Sequence, residues 1–201
     1  MQERPGLRIV RDPSDSVAGS GPVGWATSQL QSALAARGIN VDLVQRVDDV
    51  PADADCILAA GRASAAAGAI LDRAGVSMPE VAEALALVPG HLDGRSALLA
   101  CGNDVRGLVY AVLELADRAT YAAEPRRALE INRPIVETPA NPIRSVMRMF
   151  VSDVEDKPWF YDRSFWESYL SMLVAQRFNR FHLGLGIGHN FVTDVHDAYF
   201  V

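Results

Sequence analysis

The stretch that decides the fold begins with IRSVMRMFV at residues 143–151 and closes with RFHLGLG at residues 180–186. Both runs are short and mostly apolar, which indicates strands. Residues 152–161 predict a loop with charged and aromatic side chains, and residues 164–178 predict an amphipathic helix. Asp162 or Ser164 is placed to cap this helix, and Glu167 would complete a capping box. This order predicts a βαβ unit with parallel strands.

The residues upstream predict shorter α/β elements. The predicted elements are strands at 7–10, 41–44 and 56–60, helices at 22–37, 64–74 and 105–118, a hairpin of 84–88 with 96–100, and a strand or extended connector at 128–131. Pro134 and Pro139 indicate a linker. We therefore expect an α/β fold with a small mixed-sheet accessory domain at 1–132, a linker at 133–141 and a separate unit at 142–201.

Composition limits the possible partners. The chain has 201 residues, 49% of them hydrophobic, and a net charge of −6, so we expect no nucleic-acid partner. The amino terminus lacks a signal-peptide core, and no apolar run approaches the ~20 residues of a membrane span, so we expect a cytoplasmic protein without a membrane partner. Cys56 and Cys101 lie in apolar runs, which favours buried thiols over metal ligands, with a disulfide left open.

Several motifs of the second unit resemble one enzyme class. PIRS (142–145), FW (165–166) and RFNRFHL (177–183) resemble the start of the catalytic barrel of glycoside hydrolases, with β-N-acetylhexosaminidases and bacterial α-glucuronidases as the nearest types. CGNDVRGLVY (101–110) resembles the end of the accessory domain in the same enzymes. The resemblance implies an α/β accessory domain followed by the first βαβ unit of an incomplete (β/α)8 barrel.

The resemblance also implies an activity and a sugar site. The parent enzyme would hydrolyse O-glycosidic bonds of a carbohydrate substrate without a cofactor or a metal. Arg144 matches an arginine that holds sugar hydroxyls, although these enzymes tend to carry Asp where this chain has Met149. Small residues beside His182 leave room for a ligand, and His189 and Asn190 continue into the next loop. The alternatives are a structural ion pair for Arg144 and a core position for His182.

The catalytic groups are expected elsewhere. Glycosidases need two carboxylates across the scissile bond, and the resembled families carry them on later barrel strands. We therefore expect no catalytic residue in this chain and a missing carboxyl-terminal barrel portion of the same parent. The acids Asp153, Glu155, Asp156 and Asp162 would then bind sugar or metal, or form a solvated loop, and the aromatic run 159–161 would stack on sugar or plug the barrel rim.

Two further hypotheses belong to other functional classes. The chain can be a complete, non-catalytic carbohydrate-binding or scaffold module. It can also be a nucleotide-binding domain, because GSGPVG at 19–24 fits the GxGxxG pattern. Pro22 removes an N–H donor from this turn, and Asp42 lies at the start of its strand, not at its end, so we favour a plain surface loop.

Overall fold

The computed structural model describes residues 6–150 and 153–185, and the chain divides into two compact units, Met1–Ala140 and Asn141–Val201. The elements of the first unit are β1 (Leu7–Arg11), α1 (Gly21–Ala36), β2 (Val41–Val44), β3 (Asp55–Gly61), α2 (Ala65–Arg73), β4 (Leu85–Leu92), β5 (Arg95–Gly102), α3 (Val105–Tyr121), α4 (Pro125–Ala128) and β6 (Ile135–Glu137). Those of the second unit are β7 (Ser145–Phe150), α5 (Asp153–Phe160), α6 (Arg163–Ala175) and β8 (Arg180–Leu185).

The first unit is built on a six-stranded mixed sheet in the order β2-β1-β3-β5-β4-β6. Strands β2, β1, β3 and β5 are parallel, whereas β4 runs antiparallel to both of its neighbours, β5 and β6. The β4–β5 hairpin turns through Asp93 and Gly94, which both have positive φ as a tight two-residue hairpin turn requires. This sheet confirms the predicted α/β class with a mixed sheet.

The core of the first unit lies on both faces of β3. Cys56, Leu58 and Ala60 pack into one apolar cluster with α2 residues such as Ile70. Because side chains alternate along a strand, Ile57 points to the opposite face, which α1 and α3 cover. Burial on both faces explains why the sequence of β3 is apolar throughout and does not alternate.

Helix α3 lies unusually close to the sheet at two glycines. A Cβ atom on Gly102 would overlap the backbone of Leu108, and one on Gly107 would overlap the carbonyl oxygen of Ala84. Asp104 fixes the start of the helix, because its carboxylate accepts hydrogen bonds from the N–H of Gly107 at 2.8 Å and of Glu83 at 2.9 Å. The residues before β4 are therefore tied to the amino terminus of α3.

Four predicted local features differ from the structure in the carboxyl-terminal part of the first unit and in the second unit. The predicted linker 133–141 contains β6, a three-residue edge strand that pairs with β4. Ala128 ends the short helix α4 and residues 129–131 are irregular, so the strand alternative for 128–131 is wrong. The predicted loop 152–161 is mostly helix α5, although it contains Pro158, because its aromatic residues pack on β7. The capping box also fails, since Asp162 caps α6 and Glu167 instead pairs with Arg163.

We expect Gly107→Ala to lower the free energy of unfolding of the first unit by about 3 kcal/mol, because the added methyl group meets a fixed backbone carbonyl. Gly68→Ala in α2 is the matched control. A Cβ there meets nothing within 4 Å, so alanine should stabilise the helix by up to about 1 kcal/mol. Urea unfolding followed by circular dichroism measures both. Equal stabilities of the two variants would contradict the close contact.

Candidate functional site

Strands β7 and β8 of the second unit form a parallel pair with one covered face and one open face. Their register places Met147 opposite His182 and Met149 opposite Gly184. On the covered face, Phe150 packs edge-to-face on Phe160 of α5, with ring centroids 4.9 Å apart. On the open face, Met147 and Met149 are 62% and 38% exposed. The open face therefore carries exposed methionines, with His182 near its middle and Arg180, opposite Ser145, at its amino-terminal end.

Arg148 lies on the covered face inside a group of aromatic rings. Its guanidinium carbon is 4.1 Å from the ring centroid of Trp159, 5.0 Å from that of Phe165 and 5.6 Å from that of Tyr169. Cations are attracted to aromatic faces at such distances, more strongly where water is excluded. Its buried Nε has no hydrogen-bond partner among the described residues, so ring contacts hold this side chain. Arg148 thus joins β7 to α5 and α6.

Arg144 precedes β7 and points to the same side as Arg148. Its Nε donates a 2.6 Å hydrogen bond to the carbonyl oxygen of Arg177, just after α6, and one of its terminal nitrogens donates to the carbonyl oxygen of Asn141 at 2.7 Å. Asn179 completes the connection, because its side chain accepts from the N–H of Arg144 and donates to the carbonyl oxygen of Pro142. These contacts favour a structural role at the amino-terminal end of the strand pair. The sugar-binding role of Arg144 stays a prediction.

The remaining predicted sugar ligands divide between the open face and the residues outside the structure. His182 is exposed on the open face, two residues before Gly184. A Cβ atom on Gly184 would lie 3.3 Å from Cγ of Met149. Because residue 184 is glycine, no side chain projects from the open face at this position. His189 and Asn190 lie outside the described residues. The structure therefore brings His182 and Arg144 to different faces of β7 and β8, and their common role in sugar binding stays a prediction.

Two of the acidic residues after β7, Asp156 and Asp162, form local hydrogen bonds. Asp156 accepts a hydrogen bond from Trp159 Nε1 at 2.8 Å. Hydrogen bonds from Ser164 to Asp162 lower the pKa of this helix-capping carboxyl, so it stays ionised at neutral pH. Trp159 and Phe160 pack in the aromatic group, whereas Tyr161 is 64% exposed. Within residues 6–150 and 153–185, no three acidic, His or Cys side chains are placed to hold a metal ion.

The glycine-rich loop of the first unit is closed on itself. The carboxylate of Asp15 accepts hydrogen bonds from the N–H groups of Val17, Ala18 and Gly61, at 2.8–3.0 Å. A Cβ atom on Gly19 would overlap the carbonyl oxygen of Pro13, so packing alone explains this glycine. Within the motif itself, the N–H groups of Gly19 and Ser20 donate to the backbone carbonyl oxygens of Asp15 and Val17, which favours the plain-loop interpretation over a nucleotide site.

Both cysteines carry buried, unpaired thiols. Burial raises the pKa of Cys56 to about 11 and that of Cys101 to about 12, so both stay protonated at neutral pH. Their strands are neighbours, but Cys56 pairs with Ala97 and Cys101 with Ala60. This offset of four residues, roughly 13 Å along the strands, is too long for a disulfide.

Comparisons with known proteins find similarity in fold, to solved structures only. No protein-family model matches the chain, and no curated protein matches it. Among solved structures, the chain is similar to a GH138 enzyme targeting the pectin rhamnogalacturonan II, with a TM-score of 0.57 and 19% identity over 89% of this chain and 18% of that one. It is also similar to CpGH84D, with a TM-score of 0.54 and 10% identity over 94% of this chain and 36% of that one.

These comparisons support a glycoside hydrolase-like fold at this level of identity. The chain spans 18% and 36% of the lengths of the two enzymes that it matches. In the part of the chain that the structure describes, every helix is too short or too polar to traverse a lipid bilayer.

We expect Arg148→Lys to lower the free energy of unfolding of the second unit by about 1 kcal/mol, because lysine keeps the charge but loses the flat surface that stacks on Trp159. The chain has three tryptophans, so a Trp25→Phe background leaves Trp159 and Trp166 to report on this unit by fluorescence.

Arg180→Lys is the matched control, since Arg180 is exposed in β8 and is not part of the aromatic group. We expect it to leave both the emission maximum and the unfolding midpoint nearly unchanged. If Arg148→Lys behaved like this control, the ring contacts of Arg148 would contribute nothing measurable.

Proposed function

We propose that this chain is the amino-terminal part of a glycoside hydrolase. The first unit is the accessory α/β domain, and β7, the two helices α5 and α6, and β8 are the first βαβ unit of a (β/α)8 catalytic barrel. The parent enzyme hydrolyses O-glycosidic bonds, with β-N-acetylhexosaminidases and α-glucuronidases as the nearest activities.

The similarity to two glycoside hydrolases over 89% and 94% of this chain carries the proposal. Such coverage includes residues of both units, so the similarity is not limited to the six-stranded sheet of the first unit. Many unrelated functions share single folds, so a similarity that includes residues of both units supports the proposal better than one limited to a single sheet.

The faces of the second unit agree with a barrel strand pair. In a (β/α)8 barrel, helices cover the outside and the inner side chains form a packed interior. Helix α6 covers one face of this strand pair, because its residues Trp166 and Tyr169 pack on Phe181 of β8. The other face exposes Met147, which is a large apolar side chain that further barrel strands would bury. In this proposal the open face is the inner face.

The proposal assigns sugar contacts to the inner face and to the loops that follow the strands. His182 lies on that face, and His189 and Asn190 follow β8 in the sequence. Active sites of such barrels lie at the carboxyl-terminal ends of the strands, whereas Arg144 precedes β7. Its proposed sugar contact is therefore the weakest of the four, and its two backbone contacts support the structural alternative.

The chemistry requires two carboxyl groups placed across the glycosidic bond, one to protonate the leaving oxygen and one to act as base or nucleophile. In the described part of the second unit, Asp162 caps α6, Asp156 accepts a hydrogen bond from Trp159 and Glu167 pairs with Arg163. We therefore assign the catalytic pair to barrel strands that are not in this chain.

We expect the longer parent reading frame to hydrolyse aryl glycosides and the purified 1–201 chain to give no turnover above background. The measurement is release of nitrophenol from a panel that includes N-acetylhexosaminides and glucuronides. An inactive but folded parent would contradict the proposal. Turnover by 1–201 that is lost in Glu155→Gln would place the catalytic acid in this chain instead.

The same parent separates the two roles of Arg144. A sugar ligand predicts that Arg144→Ala lowers kcat/KM by roughly tenfold to a hundredfold at an unchanged melting temperature. A structural residue predicts a lower melting temperature, with kcat/KM per folded molecule retained. His182→Ala is the comparison, because a sugar ligand on the inner face should lower kcat/KM per folded molecule, whereas a core position should lower the melting temperature.

A further inference from the structure

A cavity of about 500 Å³ opens in the first unit, away from the residues considered so far. It lies at the amino-terminal ends of β1 and β3 and beside β5, beneath residues 126–132. Its volume falls in the range of about 300–1,000 Å³ that small-molecule sites occupy. The function proposed above does not use this cavity.

The cavity has an apolar floor and an apolar roof. Leu7, Ile57 and Leu98 form the floor, and each is less than 9% exposed. Leu129 and Ile131 belong to the roof, a segment without helix or strand after α4, and both are only half-buried. The roof therefore leaves room above the floor for a ligand with an apolar surface.

Polar groups of both charges surround this apolar space. Asp55 and Glu130 offer carboxylate oxygens, Arg126 contributes a positive charge, and Asn132 and Ser96 can both donate and accept. Two carboxylates disfavour a phosphate or another anion, and the arginine disfavours a cationic ligand. A saturated lipid chain would place an apolar ligand against the carboxylates of Asp55 and Glu130.

We propose that this cavity binds a small neutral saccharide. A sugar ring combines apolar C–H faces with hydroxyl groups that donate and accept around its edge, which matches the walls and the rim of the cavity. The choice of a saccharide among neutral polar ligands rests on the proposed function, whereas the site itself belongs to the first unit alone. Binding here holds substrate chains on the accessory domain and adds no catalytic step.

The test is a titration of the 15N-labelled 1–201 chain with glucose, galactose, rhamnose and N-acetylglucosamine. At least one sugar should shift the amide signals of residues 55–57, 96–98 and 126–132. Inorganic phosphate and ethanolamine are the charged probes and should shift none of them. Shifts with a charged probe only, shifts elsewhere in the unit, or no shift with any sugar would overturn the proposal.

Leu129→Trp fills the cavity from its roof and should weaken binding at least tenfold. Leu43→Trp is the matched control, because Leu43 is 40% exposed on β2 and does not line the cavity. Asn132→Ala replaces Leu129→Trp if the larger side chain unfolds the unit, with a severalfold weakening expected. Binding that is equal in the cavity variants and the control would sink the assignment.

The two cysteines supply an independent measure of sugar binding. Cys56 lines the cavity and Cys101 does not. Both thiols are buried, so iodoacetamide reaches them only when the unit opens, and a bound sugar should slow the alkylation of both; unchanged rates at a saturating sugar concentration would contradict binding. If 1–201 binds sugar but the parent is inactive, the proposed hydrolase is refuted and the sugar site in the first unit is retained. If the parent is active but 1–201 binds no sugar, the sugar site is refuted and the proposed hydrolase is retained.

Discussion

The close approach of α3 to the strands beneath it is the contact on which the first unit depends. Gly102 and Gly107 leave space for the backbone of Leu108 and the carbonyl oxygen of Ala84, and no side chain can replace them without a shift. The cap by Asp104 then holds Glu83, which has a φ of 63° and forms an ion pair with Arg106. Residues 102–107 thereby fix the position of α3 against the sheet and the path of the chain into the β4–β5 hairpin.

The second unit follows a different constraint, because a parallel strand pair cannot be stable with both faces in water. Aromatic side chains from α5 and α6 cover one face, and Arg148 contributes a charged side chain that is held mainly by rings. The other face keeps Met147 and Met149 exposed. A layer that is complete on one side only is what one repeat of a larger barrel would present, and this agreement supports the proposed parent enzyme.

The regular elements could be predicted from the sequence where burial leaves a clear pattern. The apolar runs of β3 and β5 and the helical period of α3 indicated their positions to within a few residues. Strand β6 was not predicted because three residues carry no pattern, and α5 was not predicted because Pro158 and four charged residues indicate a loop.

The sequence predicted only in part which side chains of the βαβ unit lie on which face. Alternation showed that Arg144 and Arg148 share a side of β7, but the sequence does not say which side the helices cover. The structure places both arginines on the helix side and His182 on the open side. The cavity of the first unit was equally hidden, because its walls come from distant segments of the chain.

A crystal structure of the longer parent tests the central claim most directly. We expect β7 and β8 to be neighbouring strands of a closed eight-stranded barrel, with α6 outside and the side chains of Met147 and His182 inside. An open sheet whose second face is covered by further helices, or a barrel with α6 on its inner side, would contradict it.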